Sequence, residues 1–99
     1  MEETISVRIP REELKMIDEA SIIVKRKRSD VLREILELGV KQMMLEIALK
    51  KFQKNEATAW KAARLAGIPL TQFLEVLSER KINFHYTKKE LREDFEGLL

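Results

Sequence analysis

Residues 4–14 read "TISVRIPREEL", and the first seven of them decide how the N-terminal half of the chain is read. Thr4, Ser6 and Arg8 alternate with Ile5, Val7 and Ile9 until Pro10 ends the pattern. A period of two puts successive side chains on opposite faces, so the stretch predicts a half-buried strand over residues 4–9. Almost everything after Pro10 has helical spacing, which leaves that strand without a partner in its own chain. Unbonded amides and carbonyls on a half-buried strand are costly. The economical solution is antiparallel pairing with the same strand of a second chain across a two-fold axis. Ile5, Val7 and Ile9 of both chains would then face a dimer core completed by Leu32, Ile35 and Leu36. Thr4, Ser6 and Arg8 would face outward on a two-stranded ribbon. Such a ribbon fits the DNA major groove, where an arginine forks onto guanine and hydroxyls reach either base edge.

Working outward, Pro10 suits the start of a helix, and Glu12 and Glu13 sit where the helix dipole favours acids. Leu14, Ile17, Ala20 and Val24 recur at helical spacing and predict an amphipathic helix from residue 11 to about 24. The run "KRKR" at 25–28 interrupts the stripe, and Ser29 is an N-cap candidate for a second helix carrying Leu32, Ile35, Leu36, Val40 and Met43. That helix reads on to about residue 54 unless Gly39 kinks it. Thr58 can cap a third helix, "AWKAARLA", which Gly67 closes. Pro69 opens a fourth, "LTQFLEVLSER"; "INFHY" reads as extended, and Thr87 caps a last helix, "KKELREDFEGLL".

The totals bound the function. Ninety-nine residues with 44% hydrophobic content suffice for one small domain or two sub-domains. No apolar run is long enough to span a membrane, and "MEETISVRIP" lacks the basic and apolar regions of a signal peptide. The absence of cysteine rules out disulfides and thiolate metal sites and suits a reducing cytoplasm, where the chain is expected. A charged fraction of 36% leans towards a thermophile. Net charge is only +2, but Lys25, Arg26, Lys27, Arg28 and Arg33 face a single acid, Asp30, across nine residues. That local excess suits an anion such as phosphate.

From residue 4 to about 45 the chain resembles the ribbon-helix-helix DNA-binding proteins, on the strength of "TISVRIP", the helix after it, and "SDVLREIL" opening the second helix. The resemblance implies base contacts from Thr4, Ser6 and Arg8. It also implies a phosphate gripped at the start of the second helix, by Ser29 and the amides of Asp30 and Val31. Arg28 and Arg33, nearest that helix start, are the cations expected to join them. Members of that class often carry glycine in the turn, where this chain has "VKRKR".

In the second half, Ala63, Gly67 and Phe73 have the spacing of a helix-turn-helix. Residues 68–79 contain no Lys or Arg and include Glu75 and Glu79, a charge that phosphates would repel, so the hairpin reads as structural or protein-binding. Residues 41–99 resemble the small prokaryotic proteins called UPF0175 through Ala48, Phe52, Thr58, Ala62, Ala63, Ala66, Gly67, Phe73, Leu74, Leu77, Tyr86, Leu91 and Asp94. That resemblance implies an antitoxin role, with a PIN-type nuclease toxin as partner. Phe84, Tyr86 and Phe95 are the candidate partner-binding anchors, since aromatic anchors dominate binding energy.

No catalytic constellation is visible. His85 stands alone, Asp94 and its acidic neighbours have no His or Cys beside them, and no glycine-rich phosphate loop occurs, so neither an enzyme nor a metal or cofactor is expected. The methionines read as core filler. The expected architecture is mainly α: a ribbon-helix-helix module over 1–54, its strand paired between two chains, then a helix-turn-helix-like module over 55–99. The expected function is a homodimeric, operator-binding antitoxin. The alternatives are a stand-alone transcription factor and a dimeric protein-interaction module without DNA binding.

Overall fold

Helix starts and stops account for most of the backbone in the computed structural model, which describes residues 2–84. Its elements are α1 (Arg11–Val24), α2 (Arg28–Gln53), α3 (Ala59–Ala66) and α4 (Leu70–Glu79). The chain divides into two compact units, residues 1–38 and 39–99, at a point within α2. The helix predicted from Thr87 lies outside the described residues.

In the first unit, residues 2–10 form neither helix nor strand, and among the described residues there is no sheet of any kind. This overturns the expected N-terminal β-strand and the two-chain ribbon built on it. The physical reason is that alternation sets which way side chains point, whereas a strand exists only through ladder hydrogen bonds. No backbone hydrogen bond joins residues 4–9 to another described segment. Pro10 then takes the N-cap position of α1 (φ −60°, ψ 147°), and its carbonyl accepts from the Leu14 amide at 3.1 Å.

α1 ends as the sequence predicted, but through a residue with no glycine-like freedom. Lys25 adopts the left-handed conformation (φ 55°, ψ 48°), its amide donating to the Ile22 carbonyl at 3.3 Å and the Arg26 amide to the Ser21 carbonyl at 3.1 Å. These two bonds make a Schellman closure. The same pair of bonds recurs at Asn55 (φ 61°), Gly67 (φ 74°) and Lys81 (φ 57°). All four helices therefore close alike, and glycine supplies the left-handed residue once.

α2 begins at Arg28, one residue before the predicted cap. The amides of Asp30 and Val31 both donate to the Lys27 carbonyl at 3.1 Å, which makes Lys27 the cap position and places Ser29 inside the first turn. Within the first unit Val31, at 4% exposure, is the buried hydrophobic residue, and α1 buries none.

The second unit has a proper core. Ala48 and Leu49 from α2, Ala59, Ala62, Ala63 and Ala66 from α3, and Phe73 and Leu77 from α4 are all buried together. Alanines at α3's inner positions let its backbone approach its neighbours closely, and Phe73 and Leu77 supply the bulk. Phe52 meets Phe73 edge-on at 5.8 Å and 85°, an arrangement favoured by the ring quadrupoles. Thr58 caps α3 as predicted, its Oγ1 accepting from the Lys61 amide at 3.2 Å. Gly67 closes that helix, and α4 follows from Pro69. On the surface, Arg80 pairs with Glu46 at 2.6 Å, and that hydrogen bond holds the Glu46 carboxyl below its ordinary pKa.

Candidate nucleic-acid interface

Every residue singled out for base contact lies in the segment before α1. Thr4, Ser6 and Arg8 are exposed, and so are the apolar residues between them, with Ile5 at 79% and Val7 at 72%. Ile9, Ile35 and Leu36 are exposed as well, and Leu32 is half-buried. Five of the six residues assigned to a dimer core are thus uncovered within a single chain.

The α1–α2 connection divides the basic run into two kinds of residue. Arg28 reaches back to α1 and donates two hydrogen bonds to Asp18, Nε to Oδ1 at 2.7 Å and a terminal nitrogen to Oδ2 at 2.9 Å. This forked, charge-assisted pairing raises the guanidinium pKa, through the hydrogen bond first and the Asp18 charge second. Arg26 folds the other way, onto α2, donating to Glu34 Oε2 at 2.7 Å and to the Asp30 carbonyl at 3.4 Å. The Ser21 hydroxyl donates to the Arg26 carbonyl, tying the connection to α1 a second time. Lys25, Lys27 and Arg33 are exposed and make no ion pair with any described residue.

The expected phosphate grip is therefore rearranged. Arg28 is held by Asp18, and the amides of Asp30 and Val31 are used by the Lys27 carbonyl. The Val31 side chain is buried, while Ser29 keeps an exposed position in the first turn of α2. Arg33 shares a 210 Å³ depression with Arg26, Asp30, Glu34 and Glu37, where acids outnumber cations. A second depression brings Arg33 and Thr4 beside Glu2, Glu3 and Glu37. Acids at that density disfavour a phosphate there. Asp18 was not singled out in the sequence: a carboxylate ten residues from its arginine gives no local signal.

In the second unit Phe84, assigned to partner binding, packs half-buried against the module's own core and meets Phe52 at 6.2 Å. Tyr86 and Phe95 lie outside the described residues, as does His85. Trp60, Ala63, Arg64, Ile68, Pro69 and Leu70 line a 380 Å³ depression, with the Arg64 guanidinium 5.4 Å from the Trp60 ring centre. No group of His, Cys, Asp and Glu that could hold a metal occurs among the described residues, and none of the described helices is long and apolar enough to cross a membrane.

A small protein of helices, in two units with their shared helix divided between them, is the class this geometry defines. Residues 1–99 match the family described as an uncharacterised protein family, UPF0175, and the chain belongs to it. The match takes in residues 1–40 as well as the second half, so one family spans both units. The chain is 38% identical over 56 residues to a UPF0175 protein of Aeropyrum pernix, covering 57% of this chain and 63% of the relative. It is 26% identical over 83 residues to a UPF0175 protein of Synechocystis sp., covering 84% of this chain and 93% of the relative. The chain thus spans just under two thirds of the Aeropyrum relative. No solved structure matches it with significance.

Proposed function

We propose that this chain is a DNA-binding regulator of antitoxin type, acting as a homodimer. Its N-terminal segment and α1–α2 connection meet operator DNA, and its second unit engages a PIN-type nuclease toxin. The observation that carries the DNA part is the state of the first unit. Thr4, Ser6 and Arg8 are offered to solvent together with Ile5 and Val7, while Val31 is the unit's buried hydrophobic residue. Apolar side chains that open suit a partner outside the chain, and a second copy would bring an identical set. The polar residues then remain for base edges, with the cations of the α1–α2 connection for the backbone. α4 favours a protein partner for the second unit, because residues 68–79 carry no Lys or Arg to meet a phosphate. The toxin itself rests on the resemblance of residues 41–99 to proteins commonly proposed as antitoxins.

The test is a fluorescence-anisotropy titration of the wild type and Arg8→Ala against two duplexes, the segment upstream of the chain's own gene and a scrambled control. Selective binding by the wild type is expected. A lost guanine fork should weaken it by about 1 to 3 kcal/mol, roughly 5- to 150-fold. Equal binding to both duplexes, indifferent to Arg8, sinks the base-reading role.

A further inference from the structure

We infer that the α1–α2 connection is a sorted turn, in which Lys25 and Lys27 take backbone phosphates of duplex DNA while Arg26 and Arg28 hold its shape. This rests on the DNA-binding reading above and moves phosphate contact from Arg28 and Arg33 to the two lysines of the same basic run. Each arginine already has its carboxylate. Arg28 is forked onto Asp18 at 2.7 and 2.9 Å, and Arg26 meets Glu34 at 2.7 Å. A phosphate arriving at either would meet a guanidinium whose charge a carboxylate already offsets. Neither lysine has an ion pair or a side-chain hydrogen bond among the described residues, and both are exposed. With Asp18 and Glu34 neutralising the arginines, the surplus positive charge of the turn is that of Lys25 and Lys27.

The backbones beneath those lysines are fixed. The Lys25 amide is bonded to Ile22, and the Lys27 carbonyl accepts from both Asp30 and Val31. Each ammonium therefore swings on its own stem from a fixed point, as a compact point charge with rotatable donors. Cα atoms two residues apart are separated by about 7 Å at most, so the pair can serve neighbouring phosphates of one strand.

Salt-dependent titration of a non-specific duplex separates the two roles. Each phosphate contact removed should lower the magnitude of the log K against log salt slope by about 0.9. The Lys25→Gly/Lys27→Gln double variant is expected to lose slope in that proportion with no fall in melting temperature, since glycine suits the left-handed position. Lys15→Gln/Lys41→Gln removes the same charge elsewhere and should keep the wild-type slope. The inference is overturned if the two double variants lose slope equally, or if Arg28→Gln loses it at unchanged melting temperature while the lysine variant does not. A wild type that binds no duplex defeats the DNA reading itself, a result distinct from a bound wild type whose slope ignores the lysines.

Discussion

Lys25 holds a left-handed backbone at φ 55°, where the Cβ of any L-residue crowds the following carbonyl. The Schellman bonds from Lys25 and Arg26 to Ile22 and Ser21 require that conformation whatever residue stands there. Lys25→Gly should therefore raise stability by about 0.5 to 1 kcal/mol, read as an increased denaturant midpoint at unchanged m-value. A lower midpoint would show that the lysine side chain contributes more to the fold than its backbone strain costs. Gly67 (φ 74°) was legible in advance, because glycine four residues after Ala63 and before a proline signals a helix stop. Lys25 was not, because lysine carries no turn preference. The pairing of Arg28 with Asp18 was hidden for another reason: it depends on how two helices meet, and the residues are ten apart.

Among the elements, the four helices were readable from apolar spacing and caps, and the structure places α1 and α3 within their predicted limits. The strand was misread because residues 4–9 satisfy the side-chain half of the strand pattern without the ladder that makes a strand. α2 shows a different limit. Its apolar residues surround much of the helix: Ala48 and Leu49 are buried in the second unit, whereas Leu36, Val40 and Met43 are exposed. A single helical stripe could not have announced that division. Gly39 sits within α2 with open space where a Cβ would stand. Gly39→Ala should stabilise the helix by about 1 kcal/mol, the ordinary difference in propensity, seen as a higher midpoint in chemical denaturation. A loss instead would mean that something outside the chain packs against that glycine.

At the scale of the molecule, the two units differ in what they can do alone. The second closes a core from three helices, whereas the first leaves Ile5, Val7 and Leu36 open, Leu36 at 62% exposure. If a second copy covers those residues, the wild type sediments as a dimer whose melting temperature rises with concentration. Val7→Asp should then abolish both properties. In an isolated chain, a residue as exposed as Val7 (72%) should change stability by no more than about 0.5 kcal/mol, so an inert Val7→Asp marks a monomer. The alanines of the second unit have a further consequence, for what the sequence can become. Ala59, Ala62, Ala63 and Ala66 leave almost nothing to remove, while any enlargement there pushes against Leu49, Phe73 or Leu77. Tolerance to change is thus one-sided: drift at these four places is barred upward in size and nearly empty downward. The close seat of α3 is preserved by the smallness of its residues.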